Sequence, residues 1–237
     1  MRIGLLGAMA EEVAELVGCM DVSESVRKGQ TDFHIGTLEG QTVVLAYSGI
    51  GKVNAAATVQ MMVDCFDIHM LIFTGVAGGV DPRLDVGDII ISEDSVQHDF
   101  DSTAFGYDRG RIPRLKKKLF YADRQLVERF LLAARRLKEE MGNVQIIPGR
   151  VLSGDQFIAS SERNRELFAL FGGQCVEMEG AAAAHVCYLN QIPYVIVRAI
   201  SDRADQSAKV DFRSFVVQAV EHSCKLVRSV LRHWENS

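Results

Sequence analysis

Between residues 180 and 197 the chain passes from an alanine-rich run, through Gln191-Ile-Pro193, into four consecutive apolar residues, Tyr194, Val195, Ile196 and Val197. The first piece has the composition of a helix, and the proline ends it. The second reads as a strand buried on both faces, of the kind found in parallel sheets. A buried strand fed by a helix needs helices against the faces of its sheet, so this stretch imposes an α/β architecture. Polar residues gather at its two ends. Glu177 and Glu179 flank Met178 just before the helix, while Arg198, Ser201 and Asp202 follow the strand. Ligands of α/β sheets bind beyond the carboxyl ends of strands, so Glu179 and Asp202 are expected to face one crevice.

The same alternation runs along the whole chain. Residues 2–8 read as a strand and 10–17 as a helix that begins with two acids, favourable at a helix N-terminus. Residues 33–38 and 42–48 form a hairpin around Glu39-Gly40. Gly49-Ile-Gly51-Lys52 opens a helix over 53–66, and the strand 70–74 runs into a tight glycine loop over 75–79. A short strand over 88–92 precedes a polar stretch, 97–106. Leu126, Phe130, Ala133, Ala134 and Leu137 then recur at helical spacing within a helix expected over 123–141. A strand over 144–152, a helix over 161–171 and a C-terminal helix from about 212 to 234 complete the pattern. No linker, repeat or low-complexity tract interrupts it, so a single domain over 1–237 is expected.

Composition narrows the partners. Apolar residues make up 48% of the chain and charged ones 24%, the balance of a soluble globular protein. A formal charge of −5 argues against nucleic acid or an anionic membrane surface as partner. The apolar start of the chain is soon broken by Glu11 and Glu12, too early for a signal peptide or a membrane span. Five scattered cysteines without a CxxC pair point to a reducing, cytoplasmic setting.

Most familiar chemical motifs are absent or incomplete. Gly4 and Gly7 follow a strand but lack the third glycine and the ribose-binding acid of a dinucleotide site. Residues 75–79 carry no lysine, arginine or hydroxyl for a phosphate. The histidines are isolated, so no metal site is expected, and no cofactor is implied. There is no GxSxG nucleophile. The basic run from 109 to 118 reads as a solvated loop, with an anionic partner as the lesser reading. What remains is carboxylates. Glu12, Glu179 and Asp202 each follow a small or apolar residue near the end of an apolar stretch. One such acid alone is as well explained by a helix cap or an ion pair. Three of them at the ends of expected strands of one sheet are harder to explain as coincidence.

These residues lie in strings that resemble, in order and spacing, the bacterial 5′-methylthioadenosine/S-adenosylhomocysteine nucleosidases of the nucleoside phosphorylase superfamily. The strings are IGLLGAMAEEV, SGIGKVNAA, TGVAGG, VGDIIIS, HDFDSTAFGY, SGDQFI, VEMEGAAAAHVC and VRAISDRAD, spread over nearly the whole chain. The resemblance implies a single α/β domain with a central twisted mixed β-sheet flanked by helices, usually a homodimer. It also implies roles. Asp202, oriented by Ser201, would protonate adenine N7. Glu12 would take a proton from the attacking water, with Arg198 helping to hold both. Glu179 would bind the ribose hydroxyls. Phe157 would stack on adenine, the backbone of Ile158 would read its edge, and Met178 would approach the ribose. Met9, Ile50, Val76 and Phe212 would line the remaining wall, and Phe105 would close the neighbouring subunit's groove. Val76 stands where many relatives carry serine, which disfavours a phosphate site. Ser102 and Gln156 also depart from the common pattern. Hydrolysis of methylthioadenosine and S-adenosylhomocysteine, and by extension 5′-deoxyadenosine, is the expectation. The alternatives are phosphorolysis, an aminofutalosine-preferring nucleosidase, and a non-catalytic nucleoside-binding protein.

Overall fold

Every residue of Ile3–Gly7 is buried, and the strand they form (β1) lies between two others, as such an apolar run requires. A computed structural model describes residues 1–234. The elements follow in chain order. After β1 come α1 (Ala10–Gly18), β2 (Asp21–Lys28), β3 (Thr31–Leu38), β4 (Gln41–Tyr47), α2 (Lys52–Phe66), β5 (Met70–Gly79) and β6 (Ile89–Gln97). A one-turn 3-10 helix, Thr103–Phe105, precedes β7 (Phe120–Tyr121), α3 (Arg124–Leu137), β8 (Ile146–Ser153) and α4 (Ser161–Phe171). The chain then forms β9 (Cys175–Glu177), α5 (Gly180–Asn190), β10 (Tyr194–Asp202) and α6 (Ala208–Arg232).

The strands join one mixed sheet in the order β10-β6-β8-β9-β5-β1-β4-β3-β2, with β7 beside β6. A further pairing of β10 with β5 closes five of these strands into a ring. Strands β4, β1, β5 and β10 run parallel, so their carboxyl ends emerge on one side. Helices cover both faces. On one side Val13 and Leu16 of α1, Phe130 of α3 and Val227 of α6 pack on β1, β5 and β10. On the other, Val59 and Met62 of α2 meet Ala183, Ala184 and Cys187 of α5. This is the mixed, helix-flanked α/β fold that the resemblance implies.

Several local expectations need correction. Residues 75–79 are not a loop: β5 continues through them, pairing with β10 and then with β9. Glycine is required there because side chains occupy the adjacent space. A Cβ on Gly75 would lie 2.5 Å from Glu12 Oε1, and one on Gly78 would lie 2.8 Å from Asp202 Oδ1. Likewise the buried strand expected over 194–197 extends to Asp202, so Arg198, Ser201 and Asp202 lie within β10 and not past its end. Helix α6 begins at Ala208, before Phe212, and α3 ends at Leu137, before 141. Strand β2 carries almost no burial and, among the described residues, pairs only with β3. Strand β6 runs on through Gln97 because it gains β8 as a parallel partner. The hairpin turn is as expected, with φ positive at both Glu39 and Gly40.

Candidate active site

The three acids meet. Glu12, Glu179 and Asp202 line one cavity of about 260 Å³, together with Met9, Ile50, Val76, Met178, Ser201, Phe157 and Phe212. Ile158 and Gln156 line a smaller recess that shares Phe157, Met178 and Asp202 with it. Phe157 and Phe212 form an edge-on pair, with ring centroids 6.3 Å apart, at the mouth. Phe105 is absent from this wall and is 82% exposed.

Glu12 is delivered by the first turn of α1, directly after β1. Its Oε2 accepts from the backbone N–H of Ala8 (2.6 Å) and Met9 (2.9 Å), and Oε1 from that of Val76 (2.9 Å). The residue thus caps its own helix and bridges to β5 while facing the cavity. Burial pushes its pKa up, against the pull of the Arg198 charge and the three N–H donors. Such a carboxylate is fixed in place and accepts a proton more readily than a solvated one.

Asp202 is buried at the end of β10. Ser201 Oγ lies 2.9 Å from its Oδ2, and the Ala204 N–H donates to Oδ1 at 2.8 Å. Burial raises its pKa, outweighing these two bonds. A raised pKa is what a carboxyl group needs in order to donate a proton near neutrality. Ser201 also lies 3.4 Å from the Ala77 carbonyl. By turning its hydrogen towards that carbonyl, the hydroxyl becomes an acceptor for a protonated Asp202.

Glu179 begins α5 without capping it. Its Oε1 accepts from the Gly51 N–H at 2.7 Å and Oε2 from the Met178 N–H at 3.3 Å. Burial and the neighbouring Glu177 carboxylate push its pKa up to about 7, opposed by the Gly51 N–H and by Arg198. The capping work falls to Glu177, which accepts from the Gly180 N–H at 2.8 Å and from Ser153 Oγ. This frees the Glu179 carboxylate for the cavity.

Arg198 is fully buried beneath the site. Its Nε and NH2 donate to Glu177 Oε2 (3.1 and 2.7 Å), and its NH1 donates to the Phe73 and Val197 carbonyls. The guanidinium is hydrogen-bonded to Glu177 and not to Glu12, which it reaches through charge alone. Glu177 is therefore the residue that sequence reasoning passed over as a functional group. Removing one partner of such a buried pair typically costs about 3–5 kcal/mol, because the other charge is left stranded. Among the described residues no group of three or more His, Cys, Asp or Glu side chains, those of the cavity included, could hold a metal ion.

Residues 2–232 match the phosphorylase superfamily. The chain belongs to that superfamily. Within it the chain falls among the nucleosidases. A 5′-methylthioadenosine/S-adenosylhomocysteine nucleosidase from Shewanella loihica is 39% identical over 98% of this chain and the whole of the relative. The crystal structure of the Neisseria meningitidis enzyme of the same name, in complex with methylthio-immucillin-A, superposes with a TM-score of 0.93. It is 38% identical, with 98% of each chain covered. A futalosine hydrolase from Helicobacter pylori is similar in fold as well, with a TM-score of 0.91 and 33% identity over 97% of both chains.

Proposed function

We propose that this superfamily member hydrolyses the N-glycosidic bond of 5′-methylthioadenosine and S-adenosylhomocysteine, and of 5′-deoxyadenosine, releasing adenine. The observation that carries the reading is the meeting of Glu12, Glu179 and Asp202 on one cavity. Breaking the bond between C1′ and N9 leaves positive charge on the ribose and sends the electron pair to adenine. Asp202, protonated, gives its proton to N7. Glu179 accepts hydrogen bonds from the ribose hydroxyls and places negative charge beside the cationic ring. Water attacks C1′ and passes its proton to Glu12. The proton gained by Glu12 and that lost by Asp202 are re-equilibrated through solvent, which leaves adenine and the free sugar as products.

The aromatic pair Phe157 and Phe212 suits the flat purine and the apolar 5′-thio substituent. Arg198 acts by holding Glu177, and so the start of α5, and by its charge on Glu12. Phe105, exposed on its 3-10 turn, would complete the groove of a second copy in a homodimer. Ile50, at 56% exposure, is also open to such a partner. Among the described residues no helix is long and apolar enough to cross a membrane, and the five cysteines are free thiols. A cytoplasmic location fits that thiol chemistry.

Phosphorolysis needs a cation for the attacking phosphate. The cavity wall holds no lysine, arginine or histidine among its residues, and the carboxylates of Glu12 and Glu179 would repel the anion. The likeness to a futalosine hydrolase favours, as a second reading, a nucleoside with a larger 5′ substituent. The test is adenine release in phosphate-free buffer from methylthioadenosine, S-adenosylhomocysteine, 5′-deoxyadenosine and an aminofutalosine-type nucleoside. Release unchanged by added phosphate is expected, whereas strict dependence on phosphate would overturn the hydrolytic reading.

A further inference from the structure

Lys52, Asp99 and Asp155, which the catalytic assignments leave without a role, lie in three separate strings, Gly49-Ile-Gly51-Lys52, Gln97-His98-Asp99 and Gly154-Asp155-Gln156, that meet in a closed ring of bonds. Lys52 Nζ donates to Asp99 Oδ1 at 2.6 Å and reaches Gln97 Oε1 at 3.4 Å. The other oxygen of Asp99 accepts from the Asp155 backbone N–H at 3.0 Å. Asp155 Oδ1 in turn accepts from the Lys52 backbone N–H at 2.8 Å, which closes the circuit. The ion pair is largely shielded, with 18% and 14% of the two side chains exposed. Charge-assisted bonds in such surroundings are stronger than those of surface pairs.

What the ring touches gives it a purpose. The residue before Lys52 is Gly51, whose N–H holds Glu179. Gly51 has a φ of 99°, and a Cβ there would lie 3.1 Å from Asp155 Oδ1, so the ring closes over a position only glycine suits. Two residues beyond Asp155 is Phe157. Beyond Asp99 the chain leads to Phe105. The ring therefore joins the ribose side, the purine side and the root of the segment carrying Phe105, which are separated by about fifty to one hundred residues of sequence.

We propose that Lys52, Asp99 and Asp155 are positioning residues that hold the Gly51 N–H on Glu179 and thereby keep Glu179 ionised and aimed at the sugar. The proposal rests on the nucleosidase reading and extends it to residues outside the cavity. The groups facing Glu179 are Glu177 at the end of β9, Glu12 on α1, Arg198 on β10, the Met178 N–H and the Gly51 N–H itself. The two acids and burial raise its pKa, and Arg198 and the Gly51 N–H lower it. Loosening the ring withdraws the shorter of the two backbone N–H bonds that, with the Arg198 charge, favour the charged form. The carboxylate then protonates at higher pH, so the acid limb of kcat/KM moves upward.

The experiment is a pH profile of kcat and KM for adenine release by wild type, Lys52→Met, Lys52→Arg and Asp155→Ala, with thermal unfolding of each. In Lys52→Met and Asp155→Ala, kcat/KM is expected to fall about tenfold to a hundredfold. Its acid limb should rise by about one pH unit, the change expected when a carboxylate loses one strong N–H donor. Lys52→Arg, which keeps the charge, should restore most of both. Asp155 is exposed, so its truncation provides a folded variant if Lys52→Met unfolds. Profiles that overlay the wild type in a folded variant, with only the unfolding temperature lowered, would overturn the proposal. A wild-type protein that releases no adenine would instead remove the nucleosidase reading, and the ring's role with it.

Discussion

Asp202→Asn is expected to lower kcat for adenine release by about two to four powers of ten, while binding of the nucleoside changes little. Asparagine keeps the shape of the group. Its carbonyl oxygen can take the Ala204 N–H, and its amide can still meet Ser201, so the end of β10 should stay where it is. What is lost is a transferable proton. An amide can hydrogen-bond to N7 but cannot protonate it, and adenine would have to leave as an anion. The effect should therefore fall on kcat and leave KM nearly alone, the signature of an interaction made chiefly in the transition state. Steady-state kinetics with a binding measurement on the same variant checks it; equal loss of binding would mean that Asp202 supports the fold and not the chemistry.

Glu12→Gln should be as damaging to kcat, about two to four powers of ten, but it should carry a second penalty. Glu12 accepts three backbone N–H groups through its two oxygens. A glutamine has only one carbonyl oxygen. Whichever way the amide turns, its NH2 faces a backbone donor, either that of Val76 or those of Ala8 and Met9. A buried donor left without an acceptor costs about 1–3 kcal/mol, so the variant should be measurably less stable as well as inactive. Denaturant unfolding and nucleoside binding separate the two effects. Binding should survive in the folded variant, whereas loss of binding in step with activity would point to a purely structural Glu12.

The two roles of Glu12 also explain how far the sequence could be read. An acid in the first turn after a strand is equally well explained as a cap, and here it is one. Only the approach of Val76 from β5, sixty-four residues away, adds the cavity-facing part. Glu179 and Asp202 were legible because helix and strand signals bracket them so sharply. Glu177 was not, since its partners Ser153, Gly180 and Arg198 come together only when β8, β9 and β10 are assembled. The edge strand β2 escaped for the opposite reason: it buries almost nothing, so it lacks the apolar alternation that marks a strand. In β5 the glycines hid a strand, because glycine disfavours strand interiors unless something must come close. There, the carboxylates of Glu12 and Asp202 do.

The central claim is geometric, and one measurement addresses it directly: a crystal structure of the protein with an adenine nucleoside analogue that resists cleavage. An Asp202 carboxyl oxygen is expected within hydrogen-bond distance of purine N7, with Glu179 on the ribose hydroxyls and Glu12 facing C1′ across a water. A ligand bound with N7 turned away from Asp202, or seated outside the cavity between Glu12 and Phe157, would contradict the account.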